Sequence, residues 1–353
     1  MKKLLYVLIP ILLLGLALGL RSRKVDVGGT QAEAKKQVLH LYAMSDYFPD
    51  QVIKDFEEKN NCEVRYDNFS SNEELLAKLQ AGAVGYDVIV PSDYMVRALI
   101  KSNLLLELDK TKLSHLNNLS GGFVTAPFDS GNHYSVPYTW GTTGLAYNSK
   151  HVTGTVDSWN VLFDPKYKGH ISLLDDEREV LGAMLYKLGF SINTTSKDQL
   201  IQAKKLLVSL KPSVRVFASD AKQHLLSGDV WIAHMYSGDA HQVMKTNPEV
   251  KYITPKEGAV VWIDTLAIPK GAKNVDLAHA FINMILDTPA AKEITEQLLY
   301  SSPNNSLEKK VAEDLRPSYL AKMQAKVSHL EFLEDLGAGT EMWDQLWTEA
   351  KSN

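Results

Sequence analysis

The sequence predicts an α/β protein made of two lobes that face each other across a cleft. At 353 residues the chain is too long for one small core and suits about two domains of ordinary size. Strand-like and helix-like segments alternate over residues 38–91, and this β-α-β-α-β order implies parallel strands joined by right-handed crossovers. A second α/β stretch runs from about Trp159 to Trp262. Ligands of such sheets bind beyond the carboxyl ends of the strands, and two facing edges form a cleft that a hinge can close.

The first unit supplies three predicted strands and two predicted helices. In order, these are strand 38–44, helix 51–58, strand 62–69, helix 71–79 and strand 86–91. Ile53 and Phe56 give the first helix an apolar face. A capping box from Ser71 to Glu74 begins the second helix, and Pro91 ends the third strand. Further strands are predicted at 171–174, 230–235, 260–264 and 266–269, and further helices near 276–286 and at the C-terminus.

The composition excludes several classes of protein. The hydrophobic fraction of 45% and the charged fraction of 23% are ordinary for a globular chain, so wholesale disorder is excluded. The formal net charge of −4 is too acidic for a typical nucleic-acid-binding protein, and we expect no nucleic-acid partner. A single cysteine, Cys62, cannot build a disulfide framework or a cysteine-rich zinc module, and the histidines form no HExxH pair. We therefore predict neither a metal nor a cofactor.

The N-terminus carries an apolar run, residues 4–20, with basic residues on both sides. At a rise of about 1.5 Å per residue the run spans about 25 Å, which is the short end of the range for a membrane helix. We predict that residues 1–24 are a signal peptide or an uncleaved membrane anchor and that residues 25–37 are a polar linker. The rest of the chain is expected to be exported to the periplasm or to the outer face of the cell membrane. If residues 4–20 are not cleaved, they would anchor the exported chain in the membrane.

Acidic and aromatic side chains recur at the carboxyl ends of the predicted strands. They are Ser45, Asp46 and Tyr47; Ser92, Asp93 and Tyr94; Asp175, Asp176, Glu177 and Glu179; Tyr236; and Trp262 and Asp264. Each residue alone is more typical of a core, a rim or a solvated loop, but their coincidence at five strand ends indicates one site. Carboxylates form charge-assisted hydrogen bonds with ammonium groups, and aromatic faces attract cations by about 0.5–2 kcal/mol each. The pattern predicts a slot for a slender polycation.

Three other functions fit the sequence less well. An anion site would need basic residues and helix N-termini at the cleft, whereas these strand ends are acidic. A hydrolase could use paired carboxylates such as Asp176 and Glu179, but the sequence has no nucleophile elbow and no glycine-rich phosphate loop. A structural adhesin would bind no small cation. We therefore predict a binding protein and not an enzyme.

Long segments of the chain carry a family resemblance. Among them are YDVIVPSDYMV at 86–96, DDEREV at 175–180, WIDTLAIP at 262–269 and YSSPN at 300–304. Over residues 38–306 the chain resembles the spermidine/putrescine-binding proteins of polyamine ABC transporters, within the extracellular solute-binding proteins. The resemblance implies a two-lobed, periplasmic-binding-protein-like type II fold with a hinged interlobe cleft. It implies a lobe 1 of 38–143 plus 265–303 and a lobe 2 of 144–264 plus 304–353.

The resemblance also implies roles for individual residues. Asp176 and Glu179 match acids that hold one terminal amine and the central amine of the ligand. Asp264 matches an acid that holds an amine beside Trp262, which walls the slot. The other implied ligand contacts are Ser45, Asp46, Tyr47, Ser92, Tyr94, Tyr236 and Tyr300, with Asp93 and Met44 of less weight.

Three positions depart from the family pattern. Met44 and Tyr236 stand where the family has Trp; tyrosine offers a weaker face to a cation, and methionine offers soft packing without one. Leu333 replaces a family amide near the C-terminus, which leaves Glu331 and Glu334 as minor candidates. These changes bear on affinity and on the choice between spermidine, putrescine and spermine.

The function that the resemblance implies is that of the substrate-binding component of a polyamine ABC importer. Such a protein captures spermidine or putrescine in its cleft and delivers it to the membrane permease. The expected partners are the polyamine, the permease subunits and, through the N-terminal segment, the membrane, and the chain is expected to be a monomer. The alternative is a binding protein of the same fold for another cationic or small solute.

Overall fold

Two groups of parallel strands are joined by two long antiparallel strands. The computed structural model describes residues 36–82, 84–317, 319, 322, 327 and 329–352, and Gln37–Asn353 forms one compact unit. The predicted leader at 1–24 and the predicted linker up to residue 35 lie outside the described residues. Within the described ranges, no helix is both long enough and apolar enough to cross a membrane.

Strands and helices alternate along most of the chain. The strands are β1 (Gln37–Ala43), β2 (Cys62–Asn68), β3 (Val88–Ile89), β4 (Ser135–Asn148), β5 (Ile171–Leu173), β6 (Val214–Phe217), β7 (Ile232–Tyr236), β8 (Val250–Ile253), β9 (Ala259–Ala267) and β10 (Leu330–Phe332). The helices are α1 (Asp50–Asn60), α2 (Asn72–Gln80), α3 (Asp93–Lys101), α4 (Gly121–Val124), α5 (Glu177–Lys187), α6 (Lys197–Leu210), α7 (Lys222–Ser227), α8 (Ser237–Thr246), α9 (Val275–Ile285), α10 (Thr288–Leu298) and α11 (Thr340–Ser352). Short 3₁₀ turns, such as Trp159–Phe163, lie between them.

The sheet order brings the two groups of strands together through β4 and β9. The order is β2-β1-β3-β9-β4-β7-β5-β6, with β10 beside β9 and β8 beside β4. β1 is parallel to both β2 and β3, which confirms the predicted parallel strands of the first unit, and β5 is likewise parallel to β6 and β7. β4 pairs antiparallel with β9 over 135–142 and with β7 over 143–147. Because β4 pairs with strands of both groups, it holds the carboxyl ends of the strands in one group next to those in the other.

β4 is not among the strands predicted from the sequence. Its 14 residues are almost all buried and include Pro137 and two glycines, which are unfavourable in an ordinary strand. Both glycines are needed for close approach. A Cβ atom at Gly141 would lie 2.5 Å from Trp262 Cζ2, and one at Gly144 would lie 2.4 Å from the carbonyl oxygen of Ile253. The glycine at 141 therefore lets the Trp262 indole pack directly on the strand that joins the two groups.

Other predicted elements differ in detail. The predicted strands 260–264 and 266–269 are largely one strand, β9, which ends at Ala267, so the prediction that Trp262 and Asp264 lie at a strand end is wrong. Every residue of β9 is buried, as is typical of a central strand covered on both faces. The predicted helix near 276–286 is confirmed as α9, and a second helix, α10, follows it. In α1 the buried residues are Val52 and Phe56, and Ile53 is half-buried. The helical C-terminus is confirmed as α11.

Candidate ligand-binding site

A narrow cavity of about 50 Å³, the inner cavity, lies where strand ends of both groups meet. Its lining comes from residues that follow β1, β2, β3, β5 and β10, from the end of β7, from β9 and from the segment after α10. They are Met44, Tyr47, Ser71, Asn72, Ser92, Tyr94, Asp176, Glu179, Tyr236, Trp262, Asp264, Tyr300 and Leu333. The three acids to which the sequence analysis gives most weight, Asp176, Glu179 and Asp264, thus line one cavity although up to 88 positions separate them in the chain.

A wider cavity of about 780 Å³, the outer cavity, adjoins the inner one. Met44, Tyr47, Asp176, Tyr236 and Tyr300 line both cavities. The predicted site residues Ser45 and Asp46 line only the outer cavity and are exposed. They therefore lie at the rim and not beside Asp176, Glu179 and Asp264, which we call the inner acids.

Asp264 lies on β9 and is almost fully buried. Its Oδ1 atom accepts a hydrogen bond of 2.6 Å from Ser92 Oγ, and its Oδ2 atom accepts one from the Tyr47 hydroxyl. Burial raises the pKa of Asp264 to about 6, although the two hydroxyl donors lower it. Both hydroxyls orient the carboxylate but leave its charge uncompensated, which suits it to receive an ammonium group.

Asp176 and Glu179 lie at the start of α5, directly after β5. The Asp176 side chain caps the helix by accepting a hydrogen bond of 3.1 Å from the backbone N–H of Glu179. Glu179 Oε1 accepts a hydrogen bond of 3.0 Å from Thr143 Oγ1, whereas Oε2 is buried and finds no partner among the described residues. Burial, followed by the charge of Asp176, raises the pKa of Glu179 well above its usual range. A buried acceptor without a partner costs free energy, and a ligand donor would relieve that cost.

Among the described residues these acids have no ion-pair partner, although the charge of Arg178 lowers the pKa of Asp176 and Glu179 in part. Within the described ranges, neither Asp176, Glu179 nor Asp264 forms an ion pair with Lys or Arg. Arg178 lies between the first two in sequence, but its Nη1 atom donates to the carbonyl oxygen of Glu334 at 3.1 Å and its guanidinium lies 4.8 Å from the ring centroid of Trp343. The same part of the chain contains no group of three His, Cys, Asp or Glu residues placed to hold a metal ion.

Aromatic rings form a connected wall beside the acids. Trp262 packs edge-to-face against Tyr300 at a centroid separation of 5.3 Å and against Tyr236 at 5.9 Å. Tyr300 in turn packs against Tyr47 at 6.0 Å. The Trp262 Nε1 atom is buried and has no hydrogen-bond partner among the described residues. These rings can stack on the methylene groups of a flexible amine and attract its charge.

Residues at the carboxyl end of β2 complete the lining, and the sequence analysis missed them. Asn72 Nδ2 donates to Ser92 Oγ at 3.0 Å, and Asn72 Oδ1 accepts from the backbone N–H of Ser92 at 3.0 Å, so this amide holds the serine that contacts Asp264. The Tyr94 hydroxyl donates to Glu73 Oε1 at 2.9 Å. Ser71 and Asn72 come shortly after the end of β2, and this strand-end position is the signal in the sequence that points to the site. The local residue pattern by itself predicts only a helix cap there.

Three minor candidates do not line the inner cavity. Asp93, Glu331 and Glu334 line a neighbouring apolar cavity of about 550 Å³. The Asp93 carboxylate accepts the backbone N–H of Tyr94 at 2.7 Å and that of Ile263 at 3.2 Å. It therefore ties α3 to β9 and positions Ser92 opposite Asp264. Leu333 lines the inner cavity itself, so an apolar side chain stands at that wall.

This fold and cavity define a protein that encloses a small solute between two α/β groups of strands. The chain belongs to the bacterial extracellular solute-binding proteins, because the model of that family matches residues 51–316. The predicted two-lobed, type II fold is thereby confirmed as a class, while the predicted lobe boundaries stay a prediction. The family and the relatives described next are solute-binding proteins of transport systems.

Named relatives cover most of the chain. The putrescine/cadaverine-binding protein of Pseudomonas aeruginosa is 37% identical over 340 residues, which is 92% of this chain and 96% of that protein. The spermidine/putrescine-binding periplasmic protein of Escherichia coli K12 is 33% identical over 341 residues, with 96% of each chain covered. Among solved structures, the spermidine/putrescine ABC transporter substrate-binding protein PotD of Streptococcus pneumoniae is 32% identical with a TM-score of 0.75, covering 90% of this chain and 99% of that one. The TpPotD lipoprotein of Treponema pallidum is 30% identical with a TM-score of 0.81, covering 90% and 100%.

Proposed function

We propose that this chain is the substrate-binding component of a polyamine ABC importer. It captures spermidine or putrescine in the acidic, aromatic-lined cleft that contains the inner cavity, and it delivers the ligand to the membrane permease. The names of its relatives support the polyamine as ligand and the periplasm as the place of action. A binding protein of the same fold for another cationic or small solute is the alternative.

One observation carries the proposal. Three carboxylates, Asp176, Glu179 and Asp264, line a single buried cavity, and none of them has a Lys or Arg ion-pair partner within the described chain. Burial raises the pKa of each, although hydrogen bonds to all three carboxylates, and the charge of Arg178 near Asp176 and Glu179, lower it in part. Burying unpaired charges costs several kcal/mol per ion. A ligand with two or more ammonium groups would supply the missing charges, and its methylene groups would lie along the Trp262 and Tyr300 rings.

The same energetics link closure of the lobes to the ligand. An open cleft lets water solvate the carboxylates, whereas a closed cleft without cations would leave them buried and unpaired. A di- or tricationic amine therefore binds the closed state better, and this difference in affinity shifts the population toward it. The closed form is the one that we expect the permease to recognise.

The remaining parts of the proposal concern the setting. Residues 4–20 either direct export as a signal peptide or hold the protein at the outer face of the membrane. The protein acts as a monomer and catalyses no reaction. In support of the last point, the relatives that cover most of the chain are named as binding proteins.

Calorimetry of the full-length chain in a non-ionic detergent tests the proposal. Putrescine, cadaverine, spermidine and spermine are titrated in parallel with 1,4-butanediol, which keeps the carbon chain of putrescine but carries no charge. We expect saturable binding of at least one polyamine and none of the diol. Equal binding of diamine and diol, or no binding of any polyamine, would contradict the proposal.

A further inference from the structure

The outer cavity has an acid cluster of its own. Asp46, Asp220 and Asp239 all line it, and we call these three residues the outer acids. Asp239 lies in the first turn of α8, three residues after Tyr236, and the sequence analysis did not single it out as a ligand residue. Its neighbour Gly238 packs against the Tyr300 ring so closely that a Cβ atom there would lie 2.2 Å from Tyr300 Cδ1. Asp239 therefore lies close to the Tyr300 ring, which also lines the inner cavity.

The outer acids differ from the inner ones because a protein cation, Lys222, lies among them and pairs with Asp239. Lys222, the first residue of α7, extends its Nζ atom to 3.2 Å from Asp239 Oδ1 and to 3.3 Å from Gln242 Oε1. Asp220 Oδ2 lies 3.9 Å from the same nitrogen. The exposed fractions of the Lys222 and Asp239 side chains are 24% and 13%, so this pair is shielded, unlike the exposed pairs on the surface.

The electrostatics of the pair favour the charged lysine. Burial opposes the charge of Lys222, but the carboxylates of Asp239 and Asp220 outweigh it, so the pKa of Lys222 is raised. Burial raises the pKa of Asp239, and the lysine charge offsets part of that rise. The Lys222 ammonium group is thus present at neutral pH and is chemically the same group as the end of a polyamine.

From this contrast we propose that Lys222 sets the number of ammonium groups that the site accepts. The inner acids, without a protein cation, hold the two ammonium groups of a diamine. A third ammonium group that extends past Tyr300 meets Asp239, which Lys222 already pairs with, together with the positive charge of Lys222 itself. Lys222 is therefore a specificity-determining residue that favours diamines over triamines. This inference rests on the proposed polyamine function.

The test compares Lys222→Gln with Lys54→Gln in the full-length chain by calorimetry. Lys54 also lines the outer cavity, so its substitution makes the same change in net charge without removing the partner of Asp239. The ligands are putrescine, spermidine and N-butylputrescine, which carries a chain in place of the third ammonium group. Lys222→Gln should raise the affinity for spermidine relative to putrescine about tenfold, which is about 1.4 kcal/mol. N-butylputrescine should gain nothing relative to putrescine, and Lys54→Gln should change all three affinities by a similar small factor.

The outcomes separate this inference from the proposed function. Absence of polyamine binding by the wild-type chain refutes the function itself. Wild-type binding with an unchanged spermidine-to-putrescine ratio in Lys222→Gln refutes only the role of Lys222, as does an equal gain for N-butylputrescine. A Lys222→Arg variant keeps the cation and should keep the wild-type ratio, which holds the test open if the glutamine variant folds poorly. A ratio shifted toward spermidine in that variant would also contradict the inference.

Discussion

Replacing Asp264 by Asn removes one charge from the inner cavity while keeping the shape of the side chain. The carboxylate is almost fully buried and accepts hydrogen bonds from Ser92 and Tyr47, so the substitution changes a well-oriented group. A hydrogen bond to a charged group contributes about 1.5–3 kcal/mol. We therefore expect the affinity for putrescine and spermidine to fall about 10- to 150-fold. Both hydroxyls can still hydrogen-bond to the amide, so the ligand-free protein should keep its fold.

Calorimetry measures the loss, and thermal unfolding without ligand checks the fold. Asp276→Asn is the matched control, because Asp276 pairs with Lys112 on the surface and lies outside both cavities. It should bind both amines as the wild type does. An Asp264→Asn variant that binds within about twofold of the wild type, a difference of about 0.4 kcal/mol, would remove Asp264 from the site.

Three further predictions follow from the same cavity. Burial raises the pKa of Asp264 from 3.8 to about 6, so polyamine affinity should decrease as the pH falls through about 6. In the ligand-free protein the folded state binds that proton more tightly than the unfolded chain, so this group should lower the free energy of unfolding as the pH rises from 3.8 to about 6. Calorimetry measures the change in affinity, and denaturant titration measures the change in the free energy of unfolding. An affinity that stays constant over this pH range would contradict the prediction. Glu179→Gln should weaken binding about tenfold without lowering the melting temperature of the ligand-free protein, because it removes a buried charge; lower stability with unchanged affinity would contradict this. Met44→Trp should tighten binding about two- to fivefold through an added aromatic face, and a calorimetric titration that shows no gain with the fold intact would mean that the ring does not face the ligand.

The acids of the inner cavity could be predicted because each follows or ends a strand predicted from the sequence. Asp176 and Glu179 come directly after β5, and parallel strands bring their carboxyl ends to one edge. Asp264 lies within β9, where it is the single charged residue of the strand. In these cases the local pattern was enough to indicate both the position and the chemistry.

The parts that could not be predicted depend on tertiary geometry. β4 contains two glycines, and only the packing of Trp262 and of β8 against it explains why they are needed. Its proline lies at an irregularity in the pairing with β9, between Pro137 and Thr139. The sequence around Asn72 predicts only a helix cap, because no local sequence pattern shows that its amide reaches Ser92, 20 residues further along the chain. The pairing of Lys222 with Asp239 joins two helices, and no spacing rule links residues in separate elements.

A crystal structure of the protein with putrescine tests the central claim most directly. We expect one nitrogen of the ligand within about 3 Å of Asp264 and the other within about 3 Å of Asp176 or Glu179, with the methylene chain against the Trp262 ring. A diamine bound outside the inner cavity, or bound there with neither nitrogen near these carboxylates, would contradict the account.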